Sequence, residues 1–101
     1  MSNVVSWIRV PLRPGTRDAA LESLEAELRA VQEEPGTLLY VVHTSDTDPD
    51  AIYFYEMYED EEAVEVHRAS SAFQHVGDAL TPLLDGAPES LQLAAFGGKG
   101  F

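Results

Sequence analysis

Two neighbouring stretches of this chain, Leu38 to Thr44 and Ile52 to Tyr58, are apolar or aromatic on both of the faces an extended strand presents. Leu38, Tyr40 and Val42 alternate with Leu39, Val41 and His43, while Ile52, Phe54 and Tyr58 alternate with Tyr53, Tyr55 and Met57. Successive strand residues point to opposite sides of a sheet, so an antiparallel sheet with one wet face would alternate apolar with polar. These strands do not. A chain of 101 residues has helices enough to cover one face of such a sheet, and something else must cover the other. A partner sheet is the simplest cover, so the pattern predicts a homodimer packed face to face.

The other elements fall around that pair. Val4 to Leu12 reads as a strand, with Val4, Ile8, Val10 and Leu12 on one face and Val5, Trp7 and Arg9 on the other. Pro14-Gly15 breaks it, and Thr16 is placed to cap a helix. Ala20, Leu21, Leu24, Leu28 and Val31 form one apolar stripe on that helix, with Glu22, Glu25, Arg29 and Gln32 facing water. Glu33-Glu34-Pro35-Gly36 ends it, since proline cannot continue a helix and glycine permits the turn. Ser45 to Asp50 is turn chemistry joining the two strands into a hairpin.

After the hairpin, Asp60 is expected to cap a short helix carrying Ala63, Val64, Val66 and His67. Ser70 then caps a further helical stretch through Phe73, Val76, Leu80, Leu83 and Leu84, interrupted near Pro82. Asp85 to Pro88 is a loop, Ser90 to Phe96 the last strand, and 97–101 a flexible tail. The predicted architecture is α+β, one domain over 1–101. Its β-α-β-β-α-β order is ferredoxin-like, a four-stranded antiparallel sheet with helices on one face.

Charge narrows the partners. Eighteen acidic residues against six basic ones leave a formal net charge of -12, a surface that keeps the chain in solution and repels nucleic acid and anionic membranes. No apolar run approaches the roughly 18 residues of a membrane span, and Met1 to Val5 does not open as a signal peptide. The chain has no cysteine, which excludes disulfides, thiolate metal sites and a cysteine nucleophile, and fits a cytoplasmic setting. The three histidines show no i, i+4 pair and no compact ligand cluster, so no metal site is expected. Gly97-Gly98-Lys99-Gly100 lacks the spacing and the following helix of a phosphate loop.

Glu34-Pro35-Gly36, Leu39-Tyr40-Val41-Val42-His43, Tyr53-Phe54-Tyr55-Glu56-Met57-Tyr58 and the run Glu62 to Phe73 together resemble the antibiotic biosynthesis monooxygenase family. That family shows E-P-G, an aromatic strand ending Y-E-x-W, an acidic helix start, and A-H-x-x-S-x-x-F. The tryptophan is Tyr58 here. The resemblance implies a dimeric α/β barrel of two ferredoxin-like sheets. It also implies an oxygenase that needs no metal or flavin and acts with dioxygen on a small hydrophobic aromatic such as a quinol or anthrone. The haem-degrading branch places an asparagine, a tryptophan and a histidine at positions that fall near Ile8, His67 and Gly77. Haem degradation is therefore disfavoured.

Among the side chains, His67 is the leading catalytic residue. A cofactor-free oxygenase must take a proton from an electron-rich phenol so that the anion can pass an electron to dioxygen, and imidazole suits that step near neutrality. Packing of His67 between helix and sheet is the competing reading. Tyr40, His43, Tyr53, Tyr55 and Tyr58, with Trp7, Arg9 and Phe73, are the expected substrate contacts, through stacking and donation to an oxyanion. The plainer reading makes them core or interface aromatics, with Arg9 in a salt bridge to the partner. Glu56, inside an apolar strand, must pair with Arg9, His67 or Arg68 or face a pocket as a base. His75 and Asp78 are read as a solvated helix face. The alternative to the enzyme is a non-catalytic dimer that binds a small ligand or is purely structural.

Overall fold

The computed structural model describes residues 3–100. Four strands, β1 (Val4–Pro11), β2 (Thr37–Ser45), β3 (Asp48–Tyr58) and β4 (Glu89–Leu93), form one sheet in the order β2-β3-β1-β4, every neighbour antiparallel. Helices α1 (Arg17–Ser23) and α2 (Glu25–Ala30) fill the first crossover; α3 (Glu61–Ala69) and α4 (Ser71–Leu80) fill the second. This is the expected ferredoxin-like fold. The main core lies between sheet and helices: Val10, Leu12, Ile52 and Phe54 pack against Ala20, Leu24, Val76 and Leu80.

Register sorts the side chains into rows across the sheet. Ser6, Glu56 and Tyr40 form one row on the helix side, and Ile8, Phe54 and Val42 the next. On the opposite face Leu91, Trp7, Tyr55 and Val41 stand in line, beside Glu89, Arg9, Tyr53 and His43. Leu38, Val41, Leu91 and Leu93 are exposed there, as the doubly apolar strands required of an uncovered face.

Four boundaries differ from expectation, each for a local reason. The first helix breaks at Leu24: Ser23 Oγ donates back to the Ala20 carbonyl, and the Leu24 amide bonds to Leu21 in a tighter turn. Thr16 stands at the N-cap position, yet its hydroxyl donates to the Arg13 carbonyl and does not cap the helix. The hairpin turn shrinks to Asp46 and Thr47, because the strands run to Ser45 and from Asp48, whose carboxylate is held by Arg9. The last strand covers Glu89–Leu93, short of Phe96. Leu93 pairs with Val5, so β1 has one residue left to offer beyond it. Asp60 and Ser70 do cap their helices, accepting from the Ala63 and Phe73 amides. The chain near Pro82 tightens to a short 3-10 turn over Thr81–Leu83. Of the tail, Lys99 and Gly100 border a cleft on the open face, while Phe101 lies outside the described residues.

Candidate functional site

Four segments converge on His67. α3 carries the imidazole, which is 2% exposed. α2 brings Glu27, the turn before β2 brings Glu34, and the sheet presents Tyr40, Glu56 and Tyr58 from the helix-side rows. His67 Nδ1 lies 2.9 Å from Glu34 Oε1, and Nε2 lies 3.8 Å from Glu27 Oε2. The ring is walled by Tyr40, Tyr58 and Phe73, with centroids 5.3, 5.5 and 5.3 Å away. The Tyr40 hydroxyl donates to Glu27 Oε1 at 2.5 Å and the Tyr58 hydroxyl to Glu56 Oε1 at 2.7 Å.

Local sequence explains this convergence. Asp60 starts α3 so that His67 falls on its buried face with Ala63 and Val64. Ser70 ends α3, its hydroxyl donating to the His67 carbonyl, and caps α4, whose first turn swings Phe73 over the ring. Gly36 lets the start of β2 press against α3: a Cβ there would stand 2.5 Å from the Ala63 Cβ, which requires something to shift. That close approach keeps Glu34 within reach of the imidazole. Beside Glu34 opens an acidic cleft of about 220 Å³, bounded by Pro35, Thr37, Glu59, Asp60 and Glu62 among others.

Burial sets the charge states. Removal from water pushes the Glu27 and Glu56 carboxyls above the usual range, against the opposing pull of the tyrosine hydrogen bonds and of His67. Tyr40 and Tyr58 are pushed up as well, by burial and then by the adjoining carboxylates, so both stay neutral phenols that donate. The cluster thus gathers an imidazole, two carboxyls that hold a proton more tightly than usual and two phenols in a dry interior. Such a set can accept, hold and return a proton.

The expected site residues divide between the two faces. His67, Tyr40, Tyr58 and Phe73 come together. Trp7, Arg9, His43, Tyr53 and Tyr55 lie across the sheet and form a second aromatic group, with the Trp7 ring 6.3, 5.9 and 6.1 Å from His43, Tyr53 and Tyr55. Within its own chain Arg9 grips Asp48 through two nitrogens at 2.8 and 3.1 Å and touches Glu89 at 3.2 Å, and Tyr53 also donates to Asp48. Glu56 bonds Tyr58 and none of its three expected cations, Arg9 being on the wrong face. His75 and Asp78 are exposed, as read. Among the described residues no group of three or more His, Asp or Glu is arranged to hold a metal ion. No helix among them is long and apolar enough to cross a membrane.

Glu27 escaped the sequence reading. It follows Leu24 by three residues and precedes Val31 by four, which places it inside the apolar stripe, and a carboxylate at such a position signals a buried polar cluster. Glu34 reads in the sequence as part of a helix stop and of the E-P-G motif, with nothing to show its contact with His67.

A family model described as antibiotic biosynthesis monooxygenase matches residues 4–79. Solved structures agree in fold. A Nitrosomonas europaea protein bearing that family description superposes with a TM-score of 0.89 at 15% identity, over 97% of this chain and 94% of its own. One from Chloroflexus aurantiacus gives 0.83 at 27% identity, over 98% of each. A Caulobacter crescentus protein gives 0.81 at 24%, over 95% and 92%. No curated protein matches the sequence.

Proposed function

Because this chain belongs to the antibiotic biosynthesis monooxygenase family, we propose that it is a cofactor-independent monooxygenase oxidising an aromatic, quinol- or anthrone-like molecule with dioxygen. The observation that carries this reading is the buried imidazole held among carboxyls and phenols on the helix side. His67 takes the proton of the substrate, and the resulting anion gives up an electron to dioxygen. With an anthrone, one oxygen atom becomes the new carbonyl and the other leaves as water with the two hydrogens of that carbon. Tyr40 and Tyr58 flank the imidazole as aromatic walls against which the substrate stacks, their hydroxyls donating to Glu27 and Glu56. Phe73, on the outer wall, is the ring that must move to admit a substrate; at 36% exposure it is the most open of the three.

Trp7, Arg9, His43, Tyr53 and Tyr55 belong in this reading to the face that meets a second copy of the chain. Exposed Leu38, Val41, Leu91 and Leu93 around them support that assignment. A second reading, a non-catalytic dimer, draws on the same enclosure: three rings and three carboxyls already fill the surroundings of His67. Oxygen uptake by metal-stripped protein over a panel of hydroquinones and anthrones separates the two. Uptake above the autoxidation blank, lost in His67→Ala, supports the oxygenase. No uptake across the panel favours the non-catalytic dimer.

A further inference from the structure

We infer that Glu34 is a positioning residue for His67, holding the imidazole with its hydrogen on Nδ1 and leaving Nε2 bare as the base of the site. This rests on His67 serving the reaction proposed above. One oxygen of Glu34, Oε1, meets both His67 Nδ1 at 2.9 Å and the Thr37 hydroxyl at 2.7 Å, with Thr37 donating. A carboxylate oxygen can only accept, so the ring nitrogen donates too. A neutral imidazole has one N–H. Once it is directed at Glu34, the other nitrogen keeps its lone pair.

That lone pair faces a defined surrounding. Nε2 and Glu27 Oε2 are 3.8 Å apart, too far for a direct hydrogen bond, and among the described residues neither has a partner. The groups around the ring are Glu27 from α2, Glu34, Tyr40 from β2, Glu56 and Tyr58 from β3, and Phe73 from α4. Tyr40 occupies the other oxygen of Glu27, and burial favours a proton on that carboxyl. A substrate hydroxyl entering between the two orphan atoms therefore meets Nε2 as the free acceptor and gives it its proton. The imidazolium so formed still shares its Nδ1 hydrogen with Glu34. That bond stays in place, so the proton on Nε2 is the one passed on to the oxygen that leaves as water, and the ring returns to its Nδ1–H form.

Long-range proton–nitrogen NMR on uniformly labelled protein reads the ring directly, with His43 and His75 replaced to leave His67 alone. We expect the neutral ring to carry its hydrogen on Nδ1 and none on Nε2. Glu34→Ala is expected to move the hydrogen to Nε2 and to lower oxygen uptake about 10–100-fold, the scale for outer partners of an oriented histidine. Glu34→Gln keeps an acceptor oxygen and should restore the Nδ1–H form. A merely structural role would lower the melting temperature in both variants without moving the ring nitrogen signals. A wild-type neutral ring with its hydrogen on Nε2 overturns the inference without any variant. So does an unchanged ring spectrum in a folded Glu34→Ala. Lack of oxygen uptake with the expected tautomer would sink the oxygenase and leave the Glu34 assignment standing.

Discussion

The two faces of the sheet carry similar side chains in different surroundings. Each has a histidine, two tyrosines, a further aromatic ring and carboxylates. On the helix side His67, Tyr40 and Tyr58 are packed away from water with Glu27 and Glu56, whose carboxyls are pushed towards the neutral form. On the open side Asp48 lies beside Arg9 and Tyr53 in contact with solvent, and those two donors hold its carboxyl down to about 2. The same chemistry is thus tuned in opposite directions by what covers it. Solvent, more than residue type, makes one group a candidate for proton transfer and the other a candidate for contact.

Exchanging single residues tests how far that division goes. The largest effect is expected at His67: with a substrate from the panel, His67→Ala should cut kcat/KM about 10²–10⁴-fold, whereas His43→Ala on the other face should leave it nearly unchanged. Equal losses would merge the two sites. Next, Trp7→Glu should weaken self-association by about 2 kcal/mol or more, seen by light scattering as a shift from dimer to monomer with the circular dichroism intact. A monomeric wild type at micromolar concentration would remove the self-interface altogether.

Smaller effects follow in stability. Tyr40→Phe strips the buried Glu27 of its donor and should cost about 1–3 kcal/mol in urea unfolding. Tyr53→Phe, whose partner Asp48 is in contact with water, should cost distinctly less. The pH response should differ in sign between the faces. Glu27 and Glu56 bind protons more tightly when folded, so the stability linked to them is full below their ordinary value of 4.5 and is lost as pH rises through the raised values. Asp48 is the reverse: its contribution is present above 3.8 and is lost as pH falls through about 2. Unfolding curves across pH should therefore lose alkaline slope in Glu27→Gln or Glu56→Gln and acid slope in Asp48→Asn. Matching slopes in all three would end the distinction.

Much of this was legible in the residues. Strand alternation alone assigned Trp7 and Arg9 to one side of β1 and Ile8 and Val10 to the other, and the hairpin parity separated Tyr58 from Tyr55. What the alternation could not supply was the pairing of one element's face with another's. Tyr53, Tyr55 and His43 look equivalent to Tyr40 as neighbours of His67 until the sheet is seen to stand between the two groups. Glu27 was hidden for a related reason, because its meaning comes from Tyr40 and His67, 13 and 40 positions further on. Glu34 reads as a helix stop until Gly36 is seen to bring it against α3. The element ends were least legible where a side chain decided them: Ser23 bonding backwards, Arg9 holding Asp48.

The strand order has a consequence for how the chain is made. β1 sits in the interior of the sheet, yet its neighbours are β3 and β4, which lie far downstream of it in the sequence. The hairpin of β2 and β3 closes locally through a two-residue turn, an event of microseconds. At a synthesis rate of about 5–20 residues per second, β1 is made seconds before either neighbour exists. Until a neighbour emerges, the apolar side chains of Val4, Val5, Trp7, Ile8 and Val10 have no strand partner to cover them.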